Sequence, residues 1–72
     1  MTNTHMLRAI INEKGIKYSK IADELGISSY ALQKKIENRN EFKPSEINKL
    51  CNILSIKSLQ IKENIFFTNQ VD

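Results

Sequence analysis

The residues able to carry covalent chemistry are few. His5 is the only histidine and lies near a terminus, where it can anchor neither a nucleophile triad nor a metal site. Cys51 is the only cysteine, and it falls on the apolar side of a helical repeat, so it reads as a packing thiol and not a nucleophile. Asp23 and Glu24 adjoin each other without a convergent second pair of carboxylates, and Gly15 and Gly26 end helices instead of forming a phosphate-binding loop. No enzyme activity, cofactor, metal or small-molecule substrate is therefore expected. What remains is hydrogen-bonding chemistry. Ser29, Tyr30, Gln33 and Lys34 share one side of a short helical stretch whose other side carries Leu32 and Ile36. Gln33 can pair with an adenine edge, Lys34 can donate to guanine O6 and N7, and Ser29 or Tyr30 can meet a base or a thymine methyl. A plain polar surface helix has the same composition, so the elements around it must decide.

Those elements are set off by single residues, since no repeat, low-complexity tract or Pro/Gly-rich linker divides the chain. Leu7, Ile10, Ile11 and Lys14 keep i, i+3, i+4, i+7 spacing and predict a first helix over 5–14, with Thr4 as its N-cap and Gly15 as its left-handed terminus. Ile21, Ala22 and Leu25 give a second helix over 18–25, which Gly26 ends. After the buried turn residue Ile27, Ser28 can cap a third helix running to about Glu37. Residues 38–43 read as a loop anchored by Phe42. Pro44 opens a fourth helix at a position where its missing N–H is harmless, and Ile47, Leu50, Cys51 and Leu54 carry the strongest period in the chain. Ser58 can cap a last short helix through about Asn64. The stretch 65–71 is ambiguous between an extended tail, a short strand and a frayed turn.

Five short helices without a period-two alternation predict an all-α domain, a compact five-helix bundle. The expected core is Leu7, Ile10, Ile11, Ile21, Ala22, Leu25, Ile27, Leu32, Ile36, Phe42, Ile47, Leu50, Cys51 and Leu54. The chain has 72 residues, 40% of them apolar and 26% charged, and buries only about 60% of its unfolded surface, enough for one domain. No uninterrupted apolar run, Ile65 to Phe67 included, exceeds three residues, so no membrane span is expected. A lone cysteine and the lack of a signal sequence point to a reducing cytoplasm. Residues 1–5 are read as a segment outside the fold, disordered or left by an expression vector. The formal charge of +3 comes from Lys14 to Lys43, where seven basic residues face four acidic ones. That tilt favours an anionic partner.

The span YSKIADELGISSYALQKKIE, Tyr18 to Glu37, has the organisation of a helix-turn-helix. Small Ala22 stands where the two helices would cross, because a larger side chain would push their axes apart. Together with Gly15-Ile16, the IADELGIS of Ile21 to Ser28, the FKPSEI of Phe42 to Ile47 and the LCNIL of Leu50 to Leu54, it resembles the lambda-repressor-like family of Cro/CI or XRE type. That resemblance covers about Leu7 to Ile56. It implies a DNA-binding transcriptional regulator that places its third helix in the major groove of operator double-stranded DNA, usually as a homodimer. Base readout is implied at Ser29, Tyr30 and Lys34, with Gln33 close by. Lys17, Lys20, Lys35, Arg39 and Lys43 would flank that helix and contact phosphates, with Ser28 and Asn40 as further phosphate contacts. Tyr18 stands where similar proteins carry a phosphate-holding glutamine, which would make that contact a phenolic one. Two more departures are Lys35-Ile36, which shifts the buried position by one, and Asn38, which replaces a common glycine and must take the left-handed conformation.

The apolar end, Ile61, Ile65, Phe66, Phe67 and Val71, has two readings. It folds back to complete the core, or it forms a two-fold contact that sets two recognition helices about 34 Å apart on a palindromic operator. The competing functional reading is a protein-interaction module, such as an antitoxin or co-regulator, that binds a partner through this end.

Overall fold

The computed structural model describes residues 1–68, which form α1 (Thr4–Lys14), α2 (Tyr18–Leu25), α3 (Ser29–Ile36), α4 (Pro44–Ile53) and α5 (Leu59–Phe66). Helices this short do not persist alone in water, so their ends and their packing hold them. Ser28 and Ser58 cap α3 and α5 as expected, their hydroxyls accepting from the amides of Ala31 at 3.0 Å and Ile61 at 3.3 Å. The cap of α1 differs from expectation. Asn3 fills it, accepting from the Met6 amide at 3.1 Å. Thr4 lies inside the helix, where its hydroxyl donates to the Ile36 carbonyl across the bundle at 2.5 Å.

Three helices end in the same way. After α2, Gly26 takes φ 73, and the amides of Ile27 and Gly26 return to the carbonyls of Ala22 and Asp23 at 3.0 and 3.1 Å. This pair of bonds satisfies carbonyls that the last turn leaves free. Asn38, at φ 65, does the same for α3 through Arg39 to Lys34 at 2.9 Å and Asn38 to Lys35 at 3.2 Å. Ser55, at φ 57, ends α4 through Ile56 to Cys51 and Ser55 to Asn52, with no glycine or asparagine to announce it.

The expected core residues are buried except Ile10 and Ile27, which are half-buried at its margin. Helical period locates a face but not its depth. Ile65 and Phe66 join the core: Ile65 is fully buried, and the Phe66 ring stands edge-on to Phe42 with centroids 5.8 Å apart. Burying each contributes roughly 1.5–3 kcal/mol, which is why α5 continues to Phe66 instead of stopping at Asn64. Two of the expected dimer residues, Ile65 and Phe66, are thus taken up by the chain's own core. Phe67 stays 55% exposed and Ile61 40%, while Val71 lies outside the described residues.

The first residues are likewise part of the fold, not a segment outside it. The Asn3 amide donates to the Ile65 carbonyl at 2.6 Å, and the Thr68 amide donates to Met1 at 3.1 Å. Asn38 closes a two-way bond with Thr2, accepting from its amide at 2.7 Å and donating to its carbonyl at 2.8 Å. The N-terminal segment therefore straps the end of α3 to the end of α5. No helix among the described residues is long and apolar enough to cross a membrane.

Candidate nucleic-acid interface

α2 and α3 pack against each other through Ile21, Ala22, Leu25 and Leu32, all buried. The small Ala22 and the sharp exit at Gly26 allow this close crossing. On α3 the inward side is Leu32, Lys35 and Ile36, and the other side is left to solvent. Ser29 is exposed and Tyr30 is 68% exposed, so the start of the helix projects freely. Lys34 is half-buried, with its ammonium 5.4 Å from the centroid of the Tyr30 ring one turn earlier. An ammonium over a phenol is held by the ring's negative face and keeps donors to spare. Gln33 sits on the flank of this face, half-buried, where its Oε1 accepts from Arg8 Nη2 of α1 at 3.2 Å. Ser29, Tyr30, Gln33 and Lys34 are thus brought together on one side of one helix.

The flanking cations separate into two groups. Lys17, Lys20 and Lys43 are exposed, Lys17 before the first turn of α2 and Lys43 before that of α4. No side chain caps α2, which leaves amides of its first turn pointing outward at the positive end of the helix. Ser28 is exposed beside α3 while serving as its cap, and Tyr18 is half-buried against the core margin. Asn40 is exposed, and its amide donates to Lys34 at 3.3 Å. Arg39 is exposed but paired, its Nη2 lying 2.9 Å from Glu37 Oε1. Glu37 Oε2 receives Arg8 Nη2 at 3.0 Å, so one carboxylate joins two guanidinium groups beyond the end of α3. The sequence reading missed Arg8 because its partners lie 25 and 29 residues away, on α3 and just past its end.

Lys35 corrects the sequence reading. It is buried, and its ammonium lies 2.5 Å from Glu46 Oε1 on α4. The same oxygen accepts the Lys43 amide at 2.8 Å, so Glu46 both caps α4 and neutralises Lys35. A lysine buried and paired in this way is turned from the surface where a phosphate would lie, and it fastens α3 to α4. Burial pushes the Glu46 carboxyl upward. The Lys35 hydrogen bond, the Lys43 amide and the charges of both lysines outweigh that and hold it below the usual glutamate value. Burial also pushes the Cys51 thiol up, only partly offset by Lys62, which keeps it protonated and inert at neutral pH.

The comparisons with known proteins agree with this architecture. A family model for the Cro/C1-type HTH DNA-binding domain matches residues 6–61, from α1 into α5. No curated protein and no solved structure gives a match to this chain. With most of its length under that model and two packed helices presenting the open side of the second, the chain belongs to the Cro/C1-type helix-turn-helix DNA-binding family.

Proposed function

We propose that this protein is a non-enzymatic, sequence-specific regulator of transcription that acts as a repressor in a bacterial or phage-infected cytoplasm. It inserts α3 into the major groove of its operator. The observation that carries this reading is the open face of α3, where Ser29, Tyr30 and Lys34 present hydroxyl, phenol and ammonium groups with Gln33 at their flank. These are groups suited to base edges and thymine methyls. Lys17, Tyr18, Ser28, Arg39, Asn40 and Lys43 supply the phosphate contacts that fix its register, together with the amides of the first turn of α2.

Size argues for two copies on one site. The eight residues of α3 extend about 12 Å, enough for only a few base pairs. The Cα atoms span 28 × 25 × 21 Å, less than the ~34 Å between successive major-groove half-sites on one side of a duplex. A homodimer on a palindromic operator doubles the sequence read. Phe67, Ile61 and Leu59 are exposed apolar residues near the C-terminal end of the described chain that can make such a contact. The competing reading, a partner-binding module, loses two of its anchors because Ile65 and Phe66 are consumed by the core.

A mobility shift on the DNA upstream of the coding region, at 50 and 200 mM salt, tests the proposal. Each phosphate neutralised by a Lys or Arg contributes about 0.9 to the slope of log affinity against log salt, so Lys17, Arg39 and Lys43 of two copies together weaken binding by roughly three orders of magnitude over that range. A shallow slope with no preferred sequence would contradict it.

A further inference from the structure

We propose that Arg8, on α1, sets which base Gln33 reads. This rests on the reading of α3 as the base-contacting helix. Arginine carries only donors, so the side of the Gln33 amide that faces Arg8 must be its carbonyl. That contact is the 3.2 Å bond from Arg8 Nη2 to Gln33 Oε1. The guanidinium is itself fixed, because the same nitrogen donates to Glu37 Oε2 at 3.0 Å and the Glu37 carboxylate is shared with Arg39. An ion pair of this kind is stronger than the bond from the same guanidinium to the neutral Gln33 amide.

The consequence is a change in the chemistry that Gln33 presents. A free glutamine offers one acceptor and one donor side by side, the complement of adenine N6 and N7. With its carbonyl held against a cation, Gln33 keeps its NH2 group, two donors, as the group it can offer a base. Arg8 takes one lone pair of that carbonyl, and an adenine amino group approaching the other would come up beside the guanidinium, whose charge disfavours a second donor. The NH2 group instead matches an edge made of acceptors only. Guanine offers N7 and O6 and fits best, thymine offers O4 alone, and cytosine presents a donor and fits worst. Arg8 is thus a positioning residue that turns an adenine-reading side chain into a guanine-reading one.

Selection from a random duplex library with the full chain, its Gln33→Ala variant and its Arg8→Met variant tests this. Gln33→Ala identifies the Gln33 position as the one where sequence preference collapses. At that position the wild type should favour guanine over adenine by roughly tenfold, as a bidentate contact discriminates. Arg8→Met keeps the aliphatic stem but has no donor, and it should reduce that ratio to near one or reverse it while the Lys34 position is unchanged. The wild-type result stands even if Arg8→Met fails to fold. Adenine at the Gln33 position, or no position lost in Gln33→Ala, overturns the inference while leaving the regulator reading intact. Wild-type protein that enriches no sequence at all overturns both.

Discussion

Lys34 and Lys35 are neighbours of the same residue type with opposite fates. A step of about 100° around α3 leaves Lys34 at the surface over the Tyr30 ring and sends Lys35 into the interior against Glu46. The left-handed cap residues Asn38 and Ser55 form a parallel contrast. Asn38 uses its side chain to bind Thr2, whereas Ser55 is exposed. Residue type does not separate the two lysines, and backbone conformation does not separate the two cap residues. What decides is whether a partner from a distant part of the chain waits at that angle. The outer side of α3 is left free for a ligand because its inner side is fastened by bonds within the protein.

The buried pair should be the costliest place to break this arrangement. Glu46→Ala leaves the Lys35 ammonium buried and unpaired and removes the acceptor for the Lys43 amide, so unfolding free energy should fall by about 3 kcal/mol or more. That is a large share of the stability of so small a domain. Urea denaturation measures it, and a loss under 1 kcal/mol would show that Lys35 escapes to solvent. Because the Glu46 carboxyl is held below its ordinary value, its contribution is present above the unfolded carboxyl pKa and is lost as pH falls through the folded one. Glu46→Gln should therefore flatten the acid side of the stability profile below about pH 5.

Lys34 is the surface member of the contrast, so its loss should appear in binding and not in folding. Lys34→Ala should weaken operator binding by about 1–3 kcal/mol and relax one base position, with the melting temperature nearly unchanged. Arg39→Ala should weaken operator and random DNA alike and lower the salt slope by about 1 per bound copy, or about 2 for a homodimer. Equal losses on both kinds of DNA for both variants would remove the distinction between base and phosphate roles.

How much of this was legible depends on the distance over which each signal acts. Gly15, Gly26, Ser28, Pro44 and Ser58 were readable because capping is settled within three or four residues, and so α2 begins and ends where the sequence places it. Asn38 was readable as a left-handed residue because glycine's usual place there leaves few alternatives. The pairings of Lys35 with Glu46, Arg8 with Gln33 and Glu37, and Thr2 with Asn38 cross 11 to 36 residues, and no local pattern encodes them. The candidate site was legible as a helix face. Its Lys35 was misplaced because a lysine at the boundary of an apolar stripe looks solvated until Glu46 is seen beneath it.

Asn38 separates local conformation from long-range anchoring. If only the left-handed backbone mattered, Asn38→Gly would stabilise the domain, since glycine adopts that φ without steric cost. The two bonds to Thr2 predict the reverse, because they are lost while only a small strain is relieved. A net destabilisation of about 1 kcal/mol is expected, with faster amide exchange at the end of α3. A more stable variant would mean that the strap holds nothing.

Ser55 supplies the matched control and the smallest effect. It has the same left-handed backbone, at φ 57, and is exposed at the exit of α4. Here the same change should move stability the other way: Ser55→Gly relieves the left-handed strain at the expense of greater unfolded-state freedom, for a net gain of about 0.5 kcal/mol. Thermal melts of the two glycine variants side by side make the comparison quantitative. Opposite signs assign the difference to the Asn38 side chain, whereas equal signs would return it to backbone conformation alone.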